Sequence, residues 1–179
     1  MMFARTKRLL LRPGWAEDAA VLAATIADEQ IVRNLAKAPW PYGLADAQAF
    51  LCAAPAPGLP RFLMFERTDG APRLVGSCGL HPKPSGAVEM GYWVARADWN
   101  RGFATEAGKA IIDIARALRL PRIEAAHFID NPASGRVLEK LGFRDTGLTA
   151  TRHSCGRGGE AAVRLFSLRL RADDEAMAA

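Results

Sequence analysis

The chain has 179 residues, half of them apolar and 24% charged, with a formal net charge of +5. That length suits one compact domain, and the composition excludes disordered, collagen-like and fibrous proteins. Its arginines, among them Arg8, Arg12, Arg33, Arg61, Arg101, Arg122 and Arg152, are scattered rather than gathered, so no nucleic-acid surface is indicated, while the mild basic excess suits an anionic small molecule.

From the start, residues 1–8 are basic, but only Leu9 to Leu11 follow as an apolar run before Arg12 and Pro13. That is too short for a secretory core, and no stretch approaches the roughly 20 apolar residues of a membrane span. Residues 8–12 read as a strand closed by Pro13-Gly14, and residues 16–27 as a helix whose Asp18 suits the dipole at its first turn. A stiff connector, Pro39-Trp40-Pro41-Tyr42-Gly43, leads to a second helix at 44–54 that stops at the Pro55 to Gly58 breaker. Residues 61–66, 74–80 and 87–94 read as an antiparallel meander, separated by Asp69-Gly70 and by His81 to Gly86.

Beyond Phe103 the period changes. Ala107, Ala110, Ile111, Ile114, Ala115 and Leu118 recur at helical spacing up to Pro121. A strand at 122–129, a helix at 133–141 ended by Gly142, and strands at 143–148 and 162–170 complete the domain, taken as 1–171, with 172–179 as a loose tail. The order excludes a repeat architecture and implies an α+β fold with a mixed sheet. Cys52, Cys78 and Cys155 are odd in number and in no CxxC spacing, so the sequence points to neither a disulfide framework nor a zinc site and fits a reducing cytoplasm. His81, His127 and His153 share no metal-ligand spacing, and no metal is expected.

The segment Trp99-Asn100-Arg101-Gly102-Phe103-Ala104-Thr105 lies between a strand and the best-patterned helix. A glycine turn lets backbone N–H groups converge on phosphate oxygens, and the helix start adds donors and partial positive charge. The same turn also occurs without any ligand. It matches neither the GxxxxGK[ST] phosphate loop nor the GxGxxG dinucleotide fingerprint. Glu89 alternates in direction with Val88 and Met90, so it either faces a cleft as a general base or is a solvated strand carboxylate. Asn131, ahead of a helix, is at least as well suited to capping it as to catalysis. The Ser-Cys-Gly triplets at 77–79 and 154–156 have no base partner or nucleophile-elbow context.

Four blocks then occur in order: Glu89-Met-Gly-Tyr-Trp-Val94, Trp99 to Ala107, Asn131-Pro-Ala-Ser134, and Leu138-Glu-Lys-Leu-Gly-Phe143. Together they resemble the GNAT acyltransferases over nearly the whole chain, and the Rim-type ribosomal-protein N-terminal acetyltransferases in particular, whose early Pro-aromatic-Pro-Tyr loop is echoed at Pro39 to Tyr42. The resemblance implies a three-layer α/β/α fold with a mostly antiparallel sheet of about seven strands and four helices. It implies acetyl-CoA as co-substrate, with Trp93 and Val94 meeting the pantetheine arm from a splayed strand and Arg101, Gly102, Phe103, Ala104 and Thr105 holding the pyrophosphate. Asn131 would touch the pantetheine or orient the acceptor, Ser134 would protonate or hydrogen-bond the thiolate, and Arg136 would reach a cofactor phosphate or lie on the helix surface. Trp40 and Tyr42 would flank the acceptor. Trp99, Asn100 and Leu138 depart from the family pattern, the last standing where many members carry a tyrosine acid.

The expected reaction is direct attack of a primary amine on acetyl-CoA in a ternary complex, without a covalent acetyl-enzyme. The acceptor is a protein N-terminus or a small molecule such as an amino acid, polyamine or antibiotic, and a non-catalytic acyl-CoA-binding module is the alternative. Monomer and dimer are left open.

Overall fold

Between Arg61 and Glu66 four consecutive residues, Phe62 to Phe65, are all buried. A strand with no polar alternation requires cover on both faces, and the structure, a computed structural model describing residues 2–170, supplies it. Phe62 and Met64 enter one core cluster with Phe103, Ala107, Ile111 and Ala115, whereas Leu63 and Phe65 enter a second with Ala19, Leu22, Ile26 and Ala47. Helices therefore cover both sides of one sheet.

The elements run β1 (Ala4–Arg5), β2 (Leu9–Arg12), α1 (Ala19–Ile26), α2 (Glu29–Val32), α3 (Leu44–Cys52), β3 (Arg61–Glu66), β4 (Arg73–Pro82), β5 (Val88–Val94), α4 (Phe103–Ala117), β6 (Arg122–Phe128), α5 (Pro132–Lys140), β7 (Arg144–Ser154) and β8 (Gly159–Arg169). The sheet order is β1-β2-β3-β4-β5-β6-β8-β7, antiparallel throughout except for the parallel β5–β6 neighbours. This is the expected three-layer arrangement, with eight strands and five α-helices among the described residues. The additions are the two-residue β1 and the one-turn α2, which Asp28 caps by accepting from the Gln30 amide at 2.8 Å. The tail expected at 172–179 lies outside the described residues.

Two elements differ from their expected form for identifiable reasons. The helix expected at 16–27 opens instead as a 3-10 turn at Ala16–Asp18. Asp18 is buried there, its two oxygens 2.7 Å from the Arg12 guanidinium and one of them 2.7 Å from the Trp15 amide. The carboxylate pins the turn to β2 rather than serving a solvated helix end. The last two strands run eleven residues each because a hairpin at Cys155–Arg157 and Gly158 extends them. β7 is the sheet edge and is exposed from Arg144 to Thr151, with only Arg152 and Ser154 drawn inward near its end, so it carries no apolar alternation to read.

At Gly76 the strands come closest: an added Cβ would lie 2.2 Å from the Trp93 carbonyl oxygen. A backbone atom cannot move aside as a side chain does. Gly76→Ala is expected to destabilise the fold by about 1–3 kcal/mol, read as a lower urea midpoint with an unchanged slope.

Candidate active site

β5 and β6 lie side by side, yet they share one partner pair, Glu89 with Glu124. Beyond it the strands part, and the β5 edge from Met90 to Val94 faces a gap that β6 does not fill. Main-chain N–H and C=O groups need partners, so an edge of this kind offers hydrogen bonds to an extended ligand. Trp99 Nε1 donates to the Val94 carbonyl at 2.8 Å and closes the far end of that edge. Beside Trp99, a cavity of about 230 Å³ is lined by Arg33, Trp99, Asp130, Asn131, Pro132 and Arg136, among others.

α4 begins at the end of the same strand. Asn100 at φ 62 and Gly102 at φ 81 turn the chain sharply, and Gly102 as N-cap contributes no side-chain bond to the first-turn amides. The amides of Phe103, Ala104 and Thr105 therefore present an uncapped, partially positive helix end. The side chains of this segment do something else. Phe103 is buried in the core with the Arg8 and Arg101 guanidiniums over its ring at 4.5 and 4.7 Å. Arg101 pairs with Asp98 and Glu66, each at 2.5 Å, so its charge is engaged by carboxylates although the side chain remains exposed. Arg73 bonds the two oxygens of Asp98 at 2.6 and 2.7 Å and reaches Glu66 at 2.5 Å. Hydrogen bonds from the two arginines hold the Asp98 carboxyl below the usual range against the opposing effect of burial. This four-charge network fastens the turn before α4 to the β3–β4 hairpin.

Strand alternation divides the gap by face. Tyr92 and Val94 pack with the α4-side cluster and Trp93 with the α1-side cluster, which sets Glu89 on the same face as Trp93. Glu89 is buried, and Arg152 on β7 binds both its oxygens at 2.7 Å. His81 Nε2 lies 3.4 Å and Lys83 Nζ 3.9 Å away. Burial raises the Glu89 pKa, but His81, the Arg152 hydrogen bonds and the Arg152 charge outweigh it and bring the value down to about 2. The carboxylate is thus neither solvated nor free: an arginine occupies it.

On the opposite face Ser134 stands in the first turn of α5. Its amide donates to Asn131 Oδ1 at 3.3 Å, so Asn131 caps the helix and also lines the cavity. Ser134 Oγ is 2.7 Å from Tyr92 Oη. Leu138 is buried in the core. Around the cavity mouth Asp130 receives Arg33 at 3.0 Å and Arg157 at 2.8 and 2.9 Å, joining α2, the β6–α5 turn and the β7–β8 hairpin. Tyr42 has packed into the α1-side core, where burial first and Asp46 second push its phenol up to about 12. Trp40 stays exposed. Among the described residues no group of three or more His, Cys, Asp or Glu side chains could hold a metal ion, and no helix is long and apolar enough to cross a membrane.

The structure thus places Trp93 and Val94 on the parted edge with Glu89 at its closed end, the start of α4 beyond its other end, Ser134 against Tyr92, and Asn131 and Arg136 on the cavity beside Trp99. Arg152, Tyr92, Asp98, Glu66 and Arg73 went unrecognised in the sequence. Arg152 lies 63 residues from Glu89 with nothing local to mark the pair, whereas Tyr92 was visible inside a quoted block but gave no sign of its partner.

A family model described as an acetyltransferase (GNAT) domain matches residues 8–144. An uncharacterised N-acetyltransferase, p20 of Bacillus licheniformis, is 30% identical over 171 residues, covering 91% of this chain and 93% of the relative. Among solved structures, a GNAT-family acetyltransferase from Bacillus anthracis superposes with a TM-score of 0.77 at 22% identity, covering 94% of this chain and 99% of the other. RimL, described as a ribosomal L7/L12 alpha-N-protein acetyltransferase in complex with coenzyme A, superposes at 0.75 with 15% identity, covering 96% and 100%.

The Glu89–Arg152 pair has a measurable consequence. With a folded pKa of about 2 against an ordinary 4.5, the carboxylate's contribution to stability is complete above about pH 4.5 and is lost as pH falls toward 2. Arg152→Met is expected to cost about 1–3 kcal/mol at neutral pH, less than a fully buried pair would because the arginine side chain keeps 29% exposure. It is also expected to flatten the acid dependence in that window, measured as the difference in urea midpoints from the parent.

Proposed function

Because the chain belongs to the GNAT acetyltransferase family, we propose that it transfers the acetyl group of acetyl-CoA to a primary amine, the α-amine of a protein N-terminus, by direct attack in a ternary complex. The observation that carries this reading is the uncapped first turn of α4 at the end of the parted strand: amides for a pyrophosphate and a free strand edge for a pantetheine arm occur together. The edge from Met90 to Val94 takes the arm, and the amides of residues 102–105 take the phosphates. Arg136, which lines the neighbouring cavity, would reach a cofactor phosphate. Arg101 steadies the turn through its carboxylates rather than gripping phosphate with its guanidinium.

Acetyl transfer needs a neutral amine on one side of the thioester carbonyl and a place for the thiolate on the other. The two faces of the gap answer to this. The amine approaches on the Glu89 face, and Glu89 takes its proton directly or through water once an arm of Arg152 yields. Sulfur departs toward Ser134, and Asn131 holds the turn that carries the serine. Trp40, exposed on the 39–43 connector, would border the acceptor entrance, whereas Tyr42, expected to flank it too, is buried in the α1-side core and can only support that loop. A protein acceptor is favoured by the shared fold with RimL, whose described substrate is a protein N-terminus. The unpaired cysteines suit work in a reducing cytoplasm.

Calorimetry with coenzyme A and an acetylation assay on short peptides against small amines test this reading. Binding with peptide turnover is the expected result, turnover confined to small amines would change the acceptor, and absence of coenzyme A binding would sink the proposal. Ala104→Asp places a carboxylate where it suits the helix dipole but opposes phosphate. It is expected to leave the unfolding midpoint equal or higher while weakening coenzyme A binding about tenfold or more. Glu89→Gln is expected to lower turnover by about a hundredfold or more with coenzyme A affinity retained.

A further inference from the structure

We infer that Tyr92 is a further functional residue of this site, holding the Ser134 hydroxyl so that the serine's own hydrogen is free for the sulfur of the departing thiolate. The inference deepens the acetyltransferase reading and rests on it.

The geometry is a short chain across the gap. Tyr92 projects from β5, Ser134 stands on the first turn of α5, and Tyr92 Oη lies 2.7 Å from Ser134 Oγ and 3.2 Å from the Ser134 carbonyl oxygen. A phenol has one hydrogen and here finds two acceptors on one residue. Before reaction the serine donates to the phenol and the phenol to the carbonyl. When negative charge develops on sulfur, the serine hydrogen turns to it, because charge-assisted bonds are the stronger, and the phenol turns its hydrogen to Oγ. The two arrangements differ by rotation of two hydroxyls, with no proton gained or lost.

Burial, partly offset by the bond with Ser134, pushes the Tyr92 phenol up to about 12. It stays protonated across the neutral range, so it acts as a donor and not as an acid. Leu138, one turn along α5, is buried in the core and offers sulfur nothing. The step balances: the amine lone pair forms the C–N bond, the C–S bond breaks with its electrons going to sulfur, the ammonium proton leaves on the Glu89 face, and the thiolate later takes a proton from solvent. Tyr92 is therefore a positioning residue that acts through Ser134.

The bound coenzyme A thiol reports on this arrangement without any acceptor amine. Its ionisation, followed by the ultraviolet absorbance of the thiolate, is compared in the parent, Tyr92→Phe, Ser134→Ala and the double variant. His127, beneath Gly135, and Arg136 are common to all four, so differences belong to the hydroxyls. Tyr92→Phe is expected to raise the thiol pKa by about one unit, a tenfold loss in ionisation, with coenzyme A still bound at a pH where the thiol is neutral. The double variant is expected to match Ser134→Ala. Ortho-fluorotyrosine at position 92, a stronger donor of the same shape, is expected to shift the thiol the other way, which keeps the test open should Tyr92→Phe fail to fold. A silent Tyr92→Phe beside an active Ser134→Ala, or additive effects in the double variant, overturns this inference alone. A silent Ser134→Ala overturns the serine's role and with it the tyrosine's, and failure of coenzyme A to bind overturns the acetyltransferase reading beneath both.

Discussion

Everything in the site follows from β5 and β6 meeting at one pair, Glu89 with Glu124, and then separating. A fully laddered sheet would leave no room between these strands and no backbone unpaired. Separation creates an edge inside the molecule, bounded by helices on both faces, so a ligand can be bonded by main chain without the exposure that makes an outer edge prone to aggregation. The gap also gives the strand two functional sides: residues of odd number from Glu89 to Trp93 face α1 to α3, and those of even number face α4 and α5. In the proposed reaction the pleat itself would keep the amine and the leaving sulfur apart.

The gap would not hold its shape without charges placed behind it. Asp98 and Glu66 with Arg73 and Arg101 fasten the turn ahead of α4. Glu106 secures its first turn by accepting from Thr6, from the Arg8 amide and from the Arg8 guanidinium at 2.6 to 2.7 Å. Exposed ion pairs contribute little singly, but these converge on carboxylates that are buried or nearly so, and they fix the direction in which the α4 amides point. The helix end can then bind through backbone alone because its side chains are occupied elsewhere. The same division of labour holds at Glu89, whose ionisation Arg152 secures through two hydrogen bonds.

What could be read from residues alone was whatever is local. Apolar residues at helical spacing marked α4 and runs of β-formers marked the β3 to β5 meander, because these patterns record burial by neighbours a few residues away. β7 was legible only as far as Leu148 and Asp18 only as a helix-start residue, because β7 is a sheet edge with little apolar pattern anywhere along it and an ion pair with Arg12 leaves none at all. The ordered blocks from Glu89 to Phe143 sufficed for the family, since a backbone cradle depends on a glycine turn and a helix start, both of which are local.

The tertiary structure alone decided which atoms meet. Arg152 on Glu89, Tyr92 on Ser134 and Arg73 on Asp98 join residues 63, 42 and 25 positions apart, and no propensity or period encodes such a pairing. A charged side chain reads alike in the sequence whether it faces water, a phosphate or another charge. Its environment is set by the packing of the whole sheet, and only there does Arg101 find Asp98 and Glu66, Tyr42 sink into the core and Glu89 acquire its arginine.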